Sequence, residues 1–270
     1  MNSKNEIGVF FNKYVAKYID ADDVVLTNCS GSTQYNSVAN LMNAMKECID
    51  FDRPDGYMFN AEKSTLYIFE HFEFDCSENK EHQGSKLRYN INKVNREVKR
   101  EIDCADKVYS SEKIIEQGVG VERDGDTVYE IDTNSDEFRN NYVRNFKTAF
   151  EPHSLKLQDY IEHCIQEIKV TPSNIISIFL IEDKTLGGTH YIRGRDFEPV
   201  NLIFTKQFVE TFKKSKIDYV FFAMPQYIDL AIYDKSMLND SSIKYVDLLK
   251  EKIFAASVML KITSCIKTTK

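Results

Sequence analysis

The 270-residue sequence predicts an α/β fold, a mixed central β-sheet flanked by helices, on three observations. Residues 57–74 read as a β-hairpin, several segments carry apolar residues at three- and four-residue intervals, and the C-terminal third alternates strand-like with helix-like stretches. Alternation of that kind places helices on the faces of a sheet. The 18 Phe and 15 Tyr supply enough apolar surface for a sizeable core, which excludes a disordered or fibrous chain.

Taken in order, Ile7, Phe10, Phe11, Tyr14, Val15 and Tyr18 form the stripe of an amphipathic helix. Residues 27–36 are polar and predict a loop. Val38, Leu41, Met42, Met45 and Ile49 predict a second helix that stops before Pro54. Tyr57 to Asn60 and Thr65 to Phe74 are the aromatic, β-branched arms of the hairpin, joined by the turn-prone Glu62-Lys63-Ser64. A third helix is expected from about Ser85 to Asp106, and a short hairpin or excursion within the Gly- and Asp-rich residues 118–134. Helices at about 135–150 and 154–169 are expected to be separated by Pro152. The remaining pattern is strand Ile175 to Glu182, helix Lys206 to Ser215, strands Tyr219 to Met224 and Ile228 to Tyr233, and helix Val246 to Lys267. No low-complexity linker or internal repeat divides the chain, so a single domain over 1–270 is expected, with a helical excursion at about 107–170.

The balance of 42 acidic and 35 basic residues gives a net charge of −7, which argues against a general nucleic-acid coat. No stretch approaches the roughly 20 apolar residues needed to cross a bilayer. The run from Ile253 to Ile262 is broken by Ser257 and Lys261, and a cytoplasmic location is expected. The six cysteines are scattered with no zinc-knuckle spacing and predict reduced thiols. Ser30-Gly31-Ser32-Thr33 and the loop containing Gly187-Gly188 both lack the terminal Gly-Lys-Ser/Thr of a nucleotide P-loop. That second loop, at 184–199, reads first as an exposed connection whose glycines permit turns, and alternatively as a segment over a site with Arg193 and Arg195 contacting phosphate. His71, Asp75, Cys76 and His82 are suitable zinc donors, but their spacing matches no common finger.

The hairpin holds most of the chemistry. Asp55 stands at the start of its first strand, in Arg53-Pro54-Asp55-Gly56, and the second strand ends Glu70-His71-Phe72-Glu73-Phe74-Asp75. An even loop centred on Glu62-Lys63 pairs Asp55 with Glu70, whereas a three-residue loop pairs it with His71. Period-two alternation puts Glu70 with Leu66, Ile68, Phe72 and Phe74 on one face, and His71, Glu73 and Asp75 with Tyr67 and Phe69 on the other. A carboxylate among apolar neighbours is costly without a partner, so Glu70 requires a metal, a shared proton or a basic group.

Pro54-Asp55, followed 15 residues later by a strand glutamate, Glu70, and preceded by Glu47 on a helix, resembles the PD-(D/E)XK nuclease superfamily. The motif lysine is absent: Phe72 occupies its place, and shifting the motif to Glu73 puts Asp75 there. The resemblance implies a restriction-endonuclease-like fold and Mg²⁺-assisted phosphodiester hydrolysis of DNA or RNA, in a defence or mobile-element setting. Asp55, Glu70 and Glu73 would hold the metal, Glu47 would be an outer carboxylate, and Lys86 would stand in for the missing lysine. From Lys86 to Arg100 six basic residues face one acid, Glu97, a local excess of +5. Arg88, Lys93, Arg96 and Arg100 of that run are the expected phosphate contacts. The competing expectation is a non-catalytic binding or assembly protein that recognises a protein partner, on a degenerate nuclease fold or an unrelated α/β domain.

Overall fold

The computed structural model describes residues 5–19, 32–74, 121–123, 126–128, 136–184, 192–193, 199–200, 202–224, 229–239, 241, 245–250 and 254–255. The chain divides into two compact units. The first comprises Met1–Phe74, Phe146–Lys184 and Asn201–Asp247, and the second Asp75–Asn145, Thr185–Val200 and Leu248–Lys270. Each is assembled from three separate stretches, which is why no linker in the sequence marks a division between them.

The first unit is an α/β body on an open six-stranded mixed sheet. Its strands are β1 (Ile49–Asp50), β2 (Gly56–Asn60), β3 (Thr65–Phe74), β6 (Asn174–Asp183), β9 (Tyr219–Met224) and β10 (Asp229–Asp234), adjacent in that order. The β2–β3 and β9–β10 pairs are antiparallel, whereas β3, β6 and β9 run parallel. In the second unit β4 (Val121–Arg123) and β5 (Asp126–Val128) pair as the hairpin expected within 118–134, and β7 (Ile192–Arg193), β8 (Pro199–Val200) and β11 (Phe254–Ala255) form a small sheet.

Strands β3 and β6 alternate cleanly between two covered faces. On one, Tyr67, Phe69, Ile178 and Leu180 pack with Phe221, Ala223, Leu230 and Ile232 beneath the first helices. Those helices are α1 (Glu6–Phe10), which continues as a π turn at Phe11–Val15 and a 3₁₀ turn at Ala16–Tyr18, and α2 (Ser32–Lys46). The start of α2 shows that residues 32–36 of the expected loop are helical. On the other face Leu66 and Ile68 pack with Tyr160 and Cys164. There Phe72, Phe74, Phe146, Phe150 and Phe179 interlock at centroid distances of 5.2–6.3 Å, within the range of favourable edge and tilted contacts. These partners come from α3 (Asp136–Leu155) and α4 (Leu157–Ile168). Helix α5 (Lys206–Lys214) contributes Phe208 and Phe212, both packed on Tyr233.

Two expectations are corrected. Pro152 does not separate two helices: it lies within α3, and the break falls at Lys156, whose backbone caps α4. A proline so near a C-terminus forfeits a single intrahelical bond in the last turn, while Phe146 and Phe150 anchor the helix to the sheet. The helix expected from Val246 also does not begin there. Val246 bridges to Thr205, residues 248–250 are a turn and Phe254–Ala255 are extended, so β pairing outweighs the apolar periodicity there, and residues 256–267 of the expected helix lie outside the described residues. The helix expected at 85–106 lies outside the described residues.

Gly56 shows how tightly the entry to the hairpin is packed. A Cβ there would lie 2.4 Å from Cys48 Sγ, 3.0 Å from Ile7 Cγ1 and 3.2 Å from the Ile49 carbonyl oxygen. Gly56→Ala is expected to destabilise the protein by about 1–3 kcal/mol through overpacking. Adding Cys48→Ala should recover part of that loss, because the sulfur is the nearest obstacle. Urea midpoints of the two variants check this, and a double variant no more stable than Gly56→Ala would refute the packing argument.

Candidate functional site

The hairpin register follows the even loop. Asn60 pairs with Thr65 and Gly56 with Phe69, so Asp55 is the next residue out and stands opposite Glu70. The Asp55 amide donates to Glu70 Oε2 at 3.3 Å, and Asp55 Oδ2 accepts the His71 amide at 2.7 Å. Asp55 is therefore attached to two successive residues whose side chains point to opposite faces of β3.

Glu70 is buried and fully engaged. Its Oε1 accepts the Tyr160 hydroxyl at 2.6 Å and meets His153 Nδ1 at 2.6 Å, while Oε2 takes the Asp55 amide. The His153 ring stacks on Phe72 at 4.7 Å and lies in the last turn of α3. The partner that a carboxylate among apolar side chains requires is thus a histidine and a tyrosine from α3 and α4. Burial, and then hydrogen bonding to Glu70, push the Tyr160 phenol well above its ordinary range. Burial and the neighbouring Glu70 push Asp55 up to about 6, against the His71 amide bond, which pulls it down.

On the opposite face the parallel register sets Glu73 beside Glu182. The Lys184 amide continues the ladder by donating to the Phe74 carbonyl at 2.8 Å. His71, Glu73 and Glu182 each present a ligand atom within 4.8 Å of the others, a set of donors suited to a divalent ion. Glu182 is buried, and Tyr14 OH donates to its Oε2 at 3.1 Å. Lys13 Nζ lies 3.5 Å from the same oxygen and Lys184 Nζ 3.9 Å from it, and Lys184 also ion-pairs with Glu73. Although burial opposes ionisation, the His71 contact and the two lysines draw Glu182 down to about 2.

His71 is nine-tenths buried and sandwiched between carboxylates: Nδ1 is 3.2 Å from Glu6 Oε2, and Nε2 is 3.3 Å from Glu182 Oε1. The second approach lacks hydrogen-bond alignment, so Nε2 is a buried nitrogen without a hydrogen-bond partner. Burial works against the imidazolium, but the carboxylates of Glu182 and Glu6 prevail and raise the His71 pKa. A neutral ring donating Nδ1–H to Glu6 would aim the Nε2 lone pair at an anionic oxygen, an arrangement that a cation between them resolves. The chemistry of the donors and the orphaned nitrogen therefore both fit a divalent metal.

The expected trio of Asp55, Glu70 and Glu73 is not brought together on one face. Glu70 turns toward Tyr160 and His153, whereas Glu73 turns toward Glu182 and Lys184, as period-two alternation on β3 requires. Glu47 is exposed just beyond α2. Lys86, Arg88, Lys93, Arg96 and Arg100 lie outside the described residues, as do Asp75, Cys76 and His82, whereas Arg193 lies in β7. The residues not foreseen are Glu182, Lys184, Lys13, Tyr14 and Glu6. Their one signal in the sequence is Glu182-Asp183-Lys184, a Glu-x-Lys closing an otherwise apolar strand. No family model, curated protein or solved structure matches the chain. Among the described residues no helix is long and apolar enough to cross a membrane.

The raised Asp55 pKa has a signed consequence for stability. Relative to its ordinary 3.8 the folded-state value is about 6, so the unfolded chain ionises first and stability falls as pH rises between those values. Asp55→Asn keeps an oxygen to accept the His71 amide but removes the ionisation. In metal-free buffer its stability relative to the wild type is expected to improve from pH 4 to pH 7. Urea unfolding at both pH values checks this, and a constant difference would refute it.

Proposed function

We propose that the protein is a metal-dependent phosphodiester hydrolase of the nuclease type, working at the His71, Glu73 and Glu182 cluster. The observation that carries this reading is the juxtaposition of three metal-capable donors, one with an orphaned buried nitrogen, at the carboxyl ends of parallel strands β3 and β6. Carboxyl ends of parallel strands are where ligands of open α/β sheets commonly bind. A divalent ion held there would lower the pKa of a bound water and stabilise charge developing on a phosphate. Lys184 and Lys13 place ammonium groups beside the carboxylates, where a phosphate oxygen requires counter-charge. Tyr14 fixes the orientation of Glu182 through its hydroxyl.

The resemblance to PD-(D/E)XK nucleases takes a different form in this reading. Pro54-Asp55 stays near the site, through the His71 amide, and Glu182-Asp183-Lys184 at the end of β6 would supply the Glu-x-Lys element that β3 lacks. With an imidazole in the set, Mn²⁺ or Zn²⁺ is favoured over the Mg²⁺ expected from carboxylates alone. A second reading has its own observation. Glu70 and Asp55 are satisfied by internal hydrogen bonds, as they would be in a non-catalytic binding or assembly protein.

Titrating Mg²⁺, Mn²⁺ and Zn²⁺ calorimetrically, and assaying cleavage of single- and double-stranded DNA and of RNA with each, separates the two readings. Ion binding with metal-dependent cleavage is expected, and Glu182→Gln and His71→Ala should each lower cleavage at least a hundredfold. Cleavage that survives both substitutions, or no ion binding at all, would overturn the assignment.

A further inference from the structure

We infer that Glu6 is a positioning residue that commits His71 to binding a divalent ion through Nε2, an inference that rests on the metal site proposed above. The two imidazole nitrogens are chemically alike, and the hydrogen bond made by one decides which is free to bind a metal. Here Nδ1 faces Glu6 Oε2 at 3.2 Å, and Nε2 faces Glu182 Oε1 at 3.3 Å with no hydrogen bond. In the neutral ring that binds a metal, Nδ1–H donates a hydrogen bond to Glu6, and the lone pair is left on Nε2, the nitrogen on the side of Glu182.

The ring has little freedom to choose otherwise. Phe10 packs against it edge-on at 5.8 Å, and its own backbone amide is held by Asp55 Oδ2. Glu6 is the first residue of α1, one turn before Phe10, so a single short helix supplies both the acceptor and the packing surface. The Glu6 carboxylate meets the ring at the nitrogen remote from Glu182, outside the set of His71, Glu73 and Glu182, and its side chain is 36% exposed, so it is replaceable without opening the core. A carboxylate on the remote nitrogen also raises the basicity of the coordinating one, and loss of such a partner typically weakens metal affinity 10–100-fold.

The test uses the full chain, Zn²⁺ and Mn²⁺ titrations, and nitrogen-15 spectra of histidine-labelled protein carrying diamagnetic Zn²⁺. With five histidines the His71 signals are assigned by their loss in His71→Ala. In the wild type they should show Nδ1 protonated and Nε2 bound to metal. Glu6→Ala is expected to weaken metal affinity 10–100-fold and to give mixed or Nδ1 coordination. Glu6→Gln, nearly isosteric, keeps an acceptor and should retain the Nε2 pattern with an intermediate loss of affinity. This rescue separates positioning from mere packing, and Glu6→Gln serves alone if the alanine variant does not fold. If His71→Ala and Glu182→Gln abolish binding while both Glu6 variants bind as the wild type does, with the Nε2 pattern intact, the inference falls and the metal site stands. If the wild type binds neither ion, both fall.

Discussion

The arrangement of charges in the first unit depends on one constraint, the in-register parallel pairing of β3 with β6 from Thr65 beside Asn174 to Phe74 beside Asp183. Because side chains alternate with period two, that register assigns every residue of both strands to a face. It sets Ile178 and Leu180 with Phe69 and His71 under the first helices, and Phe179 and Ile181 with Phe72 under α3 and α4. A slip of one residue would bring Asp183 rather than Glu182 beside Glu73 and expose apolar surface on both faces. The aromatic packing that fixes the register therefore also fixes the juxtaposition of Glu73 with Glu182. Folding energy and site geometry are the same interaction at two ends of a strand pair.

Asp55 connects the faces that this register separates. Its amide ties it to Glu70 on one side of the sheet and its carboxylate to the His71 amide, so the hairpin cannot shift without disturbing both clusters. Gly56 reinforces the connection, since there is no room for a side chain between β2 and Cys48. The raised pKa of Asp55 is the cost of a partly buried position beside a second carboxylate, Glu70, offset only in part by the amide it accepts.

Much of this was legible in the sequence, for identifiable physical reasons. The hairpin and its strand limits follow from alternation and from turn chemistry around Glu62-Lys63, both local; these left two registers open, and the structure takes the one that sets Asp55 opposite Glu70. The demand of Glu70 for a partner was also readable, because a carboxylate among Leu66, Ile68 and Phe72 has no other way to be accommodated. What that partner would be was not. His153 and Tyr160 lie 83 and 90 residues away, on helices whose rotation is set by tertiary packing. Glu182 and Lys184 escaped for a similar reason. Their motif carries no meaning until the parallel register sets it beside Glu73, and parallel partners lack the short turn that makes a hairpin readable. Pro152 and Val246 misled because local rules for helix ends yielded to packing on the sheet in one case and to β pairing in the other.

The two clusters differ in how readily their charges can be exchanged, and this bears on which of them can work. Glu70 is held by Tyr160 and His153 on the helices that cover this face, and removing one would leave a buried carboxyl oxygen short of a hydrogen-bond partner, at a cost of about 1–3 kcal/mol. Such a network specifies structure and resists rearrangement. The ammonium groups facing Glu73 and Glu182 belong instead to side chains 40–43% exposed, and ion pairs at that degree of exposure contribute at most about 1 kcal/mol each. Lys13 and Lys184 are therefore weakly held, while His71 is fixed by Glu6, Phe10 and Asp55. Among the described residues, a fixed imidazole and weakly held counter-charges coincide on the face of His71, which is why the proposed site is placed there and not at Glu70.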